Sequence, residues 1–164
     1  TKKRNMPIKY EIFGKDSRKR KFFNRNEINF TYLKNKIDKL KLKDTVFLKN
    51  QTMKPKQKLL NADFLIRPSR RNDNWGRDII EAMSTGKFII STGKDSLFIT
   101  HKINGIVTYK WDSEYLADII FLYLQNNKKL CSIRKNACEF AIKNFNAKKN
   151  SQTAQKFFLE VFKN

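Results

Sequence analysis

Phe88-Ile89-Ile90-Ser91 constrains the fold more than any other segment of the chain. A strand with one wet face alternates apolar and polar residues. A run that is apolar in consecutive positions fits a strand covered on both faces, as in a parallel sheet. Gly86 stands just before it, where a left-handed helix stop is expected. Other short runs share the strand character: Ile8 to Phe13, halted by Gly14; Thr45 to Leu48; Asp63 to Ile66; and Ile106 to Thr108 after an Asn104-Gly105 turn. Helical periodicity lies between and beyond them. Phe30, Leu33, Ile37 and Leu40 mark an amphipathic helix over 26–42, with lysines on much of its remaining surface. Pro55 fits the first turn of a short helix running to about Asn61, and a further helix spans Arg77 to about Thr85. Three helices, about 113–126, 128–145 and 148–162, close the chain, with Asp112 or Ser113 capping the first. Strands alternating with helices predict an α/β fold, a parallel sheet with helices on both faces. No internal repeat and no long linker interrupts it, so residues 1–164 read as one domain.

Composition narrows the function classes. Lys and Arg number 36 against 15 Asp and Glu, a net charge of +21. The apolar share of 40% is ample for a core, so general disorder is not expected. No stretch approaches the ~18 apolar residues of a spanning helix. The opening Thr1-Lys2-Lys3-Arg4 has no apolar segment behind it, so no secretory leader is expected; without an initiator Met, the sequence reads as a piece of a longer chain. Cys131 and Cys138 fall in one helical segment, ~10.5 Å apart along its axis, too far for a bridge. They read as small core residues in a reducing cytoplasm. With one His and two Cys, no Cys/His zinc cluster can form. The excess charge has two readings. It suits an anionic partner, whether nucleic acid, membrane surface or phosphorylated substrate. It also follows from A- and T-rich codons, which favour Lys, Asn, Ile and Phe.

The segment after Ile66 carries the chemistry. It reads Arg67-Pro68-Ser69-Arg70-Arg71-Asn72-Asp73-Asn74-Trp75-Gly76, then Arg77-Asp78-Ile79-Ile80-Glu81-Ala82-Met83. Ligands of parallel sheets bind beyond the carboxyl ends of the strands, and this loop leaves such an end and enters a helix. Free N–H groups and the helix dipole at a helix N-terminus suit a phosphate. Arg70, Arg71 and Arg77 can add charge-assisted bonds, and Gly76 lets a ligand approach the backbone. Asp73 and Glu81 bracket the turn. Carboxylates repel phosphate but accept hydrogen bonds from sugar hydroxyls, so phosphate donors between two acceptors have the shape of a sugar nucleotide. The bland alternative is a solvated loop acid and a helix-surface acid. Gly14 and Lys15, after the first strand, lie on the same side of the sheet as candidate base or phosphate contacts. His101 reads as a surface or structural residue.

These residues resemble a known family. Asn61 to Ser69, Asp73-Asn74-Trp75-Gly76, and Glu81-Ala82-Met83-Ser84-Thr85-Gly86-Lys87-Phe88-Ile89-Ile90 are similar to the donor-binding half of the family 4 (group 1) retaining glycosyltransferases. That family shows Glu-Gly-Phe-Gly, four residues, then Glu-Ala-Met-Ala-x-Gly-x-Pro-Val-Val. The seven residues between its two acids are kept between Asp73 and Glu81. Ile103 to Val107 resembles the family's later Asn-Gly turn, and Leu116-Ala117 the start of its next helix. Ile8–Gly14 and Lys43–Phe47 match more weakly.

The resemblance implies a Rossmann-like domain, the C-terminal half of a GT-B enzyme, with its first strand missing from this sequence. It implies Glu81 as the ribose-binding acid, Asp73 as the contact to the donor sugar, and Asn74, Trp75, Gly76 and Arg77 as the loop that meets sugar and diphosphate. Asp73 and Glu81 would be the catalytic pair. No metal and no cofactor beyond the nucleotide-sugar substrate are implied, and no Asp-x-Asp triplet is present. The implied function is transfer of a sugar, with retention, to an acceptor such as a glycan or lipid-linked saccharide in polysaccharide biosynthesis. The acceptor would sit on an N-terminal domain that this sequence lacks, and 148–164 would pack on it. The chain alone is expected to be inactive. The implied place is the cytoplasm, with peripheral attachment to an anionic inner membrane face. The competing readings are a basic nucleic-acid-binding module, for which no motif is found, and an inactive remnant of the fold. Asp73 is a methylene shorter than the family's Glu, and Phe88 stands where Pro is customary.

Overall fold

A computed structural model describes residues 8–14, 30–69, 76–93, 98–108 and 112–162. The chain divides into two compact units, Thr1–Pro55 and Lys56–Asn164.

The first unit holds β1 (Tyr10–Gly14), α1 (Phe30–Lys39) and β2 (Val46–Asn50). The two strands pair in parallel, Tyr10 opposite Val46 and Gly14 opposite Asn50. The helix expected over 26–42 is described from Phe30 and stops at Lys39. Lys41 takes a left-handed φ of 54°, Lys41 N–H donates to Asp38 O at 3.1 Å, and Leu42 N–H to Ile37 O at 2.9 Å. That pair of bonds closes a Schellman cap, normally built on glycine.

The second unit is where the core lies. α2 (Pro55–Leu60) opens at its boundary, and β3 (Phe64–Arg67), β4 (Phe88–Thr92) and β5 (Ile106–Thr108) form one sheet in the order β3-β4-β5, all parallel. Phe64 pairs with Phe88, and Ile90 with Ile106. Every residue of β4 is buried. Successive residues point to opposite faces. Ile89 and Val107 therefore join Ile79, Ala82 and Met83 of α3 (Arg77–Ser84), with Leu65 packed alongside. Phe88, Ile90 and Ile106 join Ile119 and Tyr123 of α4 (Ser113–Gln125), with Phe64 alongside. α5 (Asn127–Asn144) serves both clusters along one stripe, with Leu130 and Ile133 in the cluster of α4 and Ala137 and Ala141 in that of α3. Each such fully buried Ile or Phe is worth about 1.5–3 kcal/mol of transfer free energy. Helices on both faces of a parallel sheet are what the doubly apolar run at 88–91 requires.

Helix ends follow the sequence. Asp112 Oδ1 accepts from Glu114 N and Tyr115 N at 2.9 and 3.1 Å, capping α4. Gly86 takes φ +64° after α3, with Gly86 N–H to Met83 O and Lys87 N–H to Ala82 O, both at 2.9 Å. The cysteines depart from expectation. Cys131 is exposed and Cys138 only half-buried, because the inward stripe of α5 is filled by Leu130, Ile133, Ala137 and Ala141. α6 (Ala147–Val161) has no buried residue, and Phe157, Phe158, Val161 and Phe162 are exposed. Among the described residues no helix is long and apolar enough to cross a membrane.

Candidate functional site

The carboxyl ends of β3 and β4 and the start of α3 build the site. Ser69, just past β3, is tied to Thr92 at the end of β4: Ser69 N–H donates to Thr92 Oγ1 at 2.6 Å, and Thr92 Oγ1 donates to Ser69 O at 3.0 Å. Ser91 Oγ donates to Arg67 O at 3.4 Å, and Thr108 Oγ1 to Ser91 O at 3.4 Å. A strand-end row of hydroxyls therefore fixes the chain at Ser69, the last described residue before Gly76.

The loop returns at Gly76. Its carbonyl accepts from Ile79 N and Ile80 N at 3.1 and 3.3 Å, so α3 begins tightly. Among the described residues, the amides of Arg77 and Asp78 meet no acceptor, as the first N–H groups of a helix do. On the side a Cβ would take, Gly76 is closely covered. That Cβ would lie 2.5 Å from Asp78 Oδ1 and 2.6 Å from Arg67 Nη1. The two side chains are themselves an ion pair, Arg67 Nε to Asp78 Oδ2 at 3.4 Å, with Arg67 25% and Asp78 49% exposed.

Glu81 stands further along α3, its side chain 32% exposed, paired with Arg77 Nε at 3.0 Å; Arg77 itself is 83% exposed. An exposed i,i+4 pair contributes only about 0.3–0.5 kcal/mol. In this structure it sets the Glu81 carboxylate beside Arg77. The carbonyl of Glu81 also accepts from the hydroxyls of Ser84 and Thr85, each at 2.9 Å, which tightens the last turn beneath it.

The turn before β5 is held by side-chain bonds. Buried Asn104 accepts from Thr100 N–H at 2.7 Å and donates to Phe98 O at 3.0 Å. His101 Nδ1 accepts from Val107 N–H at 3.1 Å, so the single histidine is structural. Among the described residues no group of three or more His, Cys, Asp or Glu is placed to hold a metal.

Of the sequence-derived candidates, Gly76, Arg77 and Glu81 are brought together on α3. Gly14 ends β1 in the first unit. Lys15, Arg70, Arg71, Asp73, Asn74 and Trp75 lie outside the described residues. Two charged residues were not anticipated, Arg67 and Asp78. Their signal was an arginine ending an otherwise apolar strand and an acid in the first turn of the helix that follows.

The family model for group 1 glycosyl transferases matches residues 1–140. The chain belongs to the group 1 glycosyl transferases. No curated protein matches it. Among solved structures, Anabaena HepE in complexes with UDP and with UDP-glucose is 27% identical, with a TM-score of 0.71 over 77% of this chain and 36% of HepE. A glycosyltransferase of Rickettsia africae is 23% identical, with a TM-score of 0.76 over 96% of this chain and 41% of that one. Sucrose-phosphate synthase of Thermosynechococcus elongatus is 18% identical, with a TM-score of 0.77 over 93% of this chain and 38% of that one. The last two likenesses are of fold alone: the architecture is that of GT-B glycosyltransferases. This group 1 member spans about a third of the length of HepE.

Proposed function

We propose that this chain holds the donor of a glycosyltransferase, a nucleotide-diphosphate sugar, at the N-terminus of α3. The observation that carries the reading is the arrangement on that helix: amides of Arg77 and Asp78 without acceptors among the described residues, and the oriented carboxylate of Glu81 further along. The amides and the helix dipole face a diphosphate; Glu81 accepts from ribose hydroxyls. Asp73, Asn74 and Trp75 complete the sugar end, and Arg70, Arg71 and Arg77 add positive charge. The complexes of HepE with UDP and UDP-glucose support this choice of ligand. In the reaction the diphosphate leaves, stabilised by positive groups, while an acceptor hydroxyl attacks from the same face and configuration is retained. The protein's contribution is positioning and preorganised charge, with no metal. The acceptor, a glycan or lipid-linked saccharide, sits on an N-terminal domain that also receives α6, at the cytoplasmic side of a membrane.

The test is ligand-induced stabilisation of the full chain. UDP, UDP-glucose, GDP and GDP-sugars are titrated to millimolar concentration while Tm is followed. A ligand at a hundred times its Kd stabilises by about 2.7 kcal/mol, and Glu81→Ala abolishes the shift while leaving the unliganded Tm within a few degrees. Wild-type Tm unmoved by every nucleotide defeats the proposal.

A further inference from the structure

Asp78 poses a problem for anion binding. It lies in the first turn of α3, where a carboxylate stabilises the helix but repels an incoming diphosphate. The structure places a cation against it. Arg67, at the end of β3 and three-quarters buried, pairs with Asp78 at 3.4 Å. Both side chains crowd the point where a Cβ on residue 76 would fall: Asp78 Oδ1 at 2.5 Å, Arg67 Nη1 at 2.6 Å and Arg67 Cζ at 3.0 Å. The carboxylate is therefore folded back over Gly76 towards β3. A planar guanidinium fits that space where a lysine ammonium could not pack flat.

We propose that Arg67 is a positioning residue of the donor site: it draws the Asp78 carboxylate onto Gly76 and neutralises it, so that the first turn of α3 can receive a diphosphate. The inference rests on the donor-binding reading above. It also gives Gly76 a second reason to be glycine, since any side chain there would push the pair apart.

A double-mutant cycle read by calorimetric titration of UDP into the full chain at low and moderate salt tests it. Arg67→Met leaves Asp78 charged and unpaired beside the diphosphate and weakens UDP about fivefold at low salt. Arg67→Met with Asp78→Asn regains wild-type affinity within about twofold, a rescue that a purely structural role for Arg67 does not give. Asp78→Asn alone binds UDP at least as tightly as wild type, with a steeper salt dependence, because one negative charge beside the diphosphate is gone. This arm stands even where Arg67→Met fails to fold. Wild-type affinity in Arg67→Met, no rescue in the double variant, or weaker binding by Asp78→Asn each overturns the inference. A wild type that binds no UDP overturns the proposed function, and this inference with it; a wild type that binds UDP equally well as Arg67→Met overturns the inference alone.

Discussion

Arg134 Nε lies 2.6 Å from the carbonyl oxygen of Gly86, a bond joining α5 to the end of α3 across 48 residues of sequence. The last carbonyls of a helix lack intrahelical donors and carry its negative end, so a guanidinium there satisfies both needs. The bond fixes the far end of the helix whose near end forms the candidate site. Arg134→Met removes a partly buried, charge-assisted bond, worth about 1.5–3 kcal/mol. Urea unfolding should show that loss without a change in m-value. An unchanged midpoint would mean that packing on α5 alone sets α3.

Lys41 is a non-glycine residue in the left-handed region, at φ 54°. The stop of α1 was illegible for that reason. No Gly or Pro marks the stretch after Lys39, whereas Gly86 announces the end of α3. Apolar spacing marks a helix in sequence, and its end is marked only where a cap residue betrays it. A lysine in that conformation costs about 1–2 kcal/mol relative to glycine. Lys41→Gly should therefore raise the thermal midpoint of the first unit, the gain partly offset by the looser unfolded chain. A lower midpoint would show that the Lys41 side chain contributes more than its backbone costs.

The candidate site divides along the same line. Gly76 and Glu81 were legible because a glycine before a helix and an acid within it have chemical meaning in sequence. The Arg67–Asp78 pair was not, because its members stand eleven positions apart on different elements and only the fold brings them to 3.4 Å. The cysteines misled for a related reason. Small apolar character suggested burial, but the inward stripe of α5 was already filled by four other residues.

Asn104 was legible as a turn residue and carries more. Its buried amide joins Thr100 N–H and Phe98 O across a partly exposed turn, at 2.7 and 3.0 Å. Asn104→Ala removes the partner of both groups, at a cost of about 2 kcal/mol or more, which for a chain this size lowers Tm by roughly 4–8 °C. Asn104→Asp keeps the acceptor and loses the donor, so its Tm should fall between the two. Equal Tm for all three would remove the amide from the stability of this turn.

Tyr123 packs its ring 4.8 Å from that of Phe88 in the core between sheet and α4. Burial raises its phenol above the ordinary value of 10.0, and Tyr115 adds to the rise. The sign follows. A folded-state value above the unfolded one means that the folded chain holds the proton more firmly. The contribution is complete below about pH 10 and is lost as pH climbs through the raised value. Wild type should lose Tm relative to Tyr123→Phe as pH rises above about 10, and the difference should be flat from about pH 7 to 9. Parallel curves throughout would show that the phenol ionises without penalty.

Thr92 connects the fold to the proposed chemistry. Its hydroxyl both accepts from Ser69 N–H and donates to Ser69 O, at 2.6 and 3.0 Å, at the last described position before the loop that carries Asp73 and Trp75. Thr92→Val keeps the shape nearly unchanged and deletes both bonds, leaving a partly buried amide and carbonyl to find other partners. The stability cost should be about 1–3 kcal/mol. The sharper readout is binding. With Ser69 released, UDP-glucose should weaken more than UDP, because the α3 amides proposed to face the diphosphate are set by Gly76 and Gly86, at the ends of the helix itself. Equal weakening of both ligands would place the effect of Thr92 on the helix; no weakening of either would show that the loop keeps its course without the Ser69 anchor.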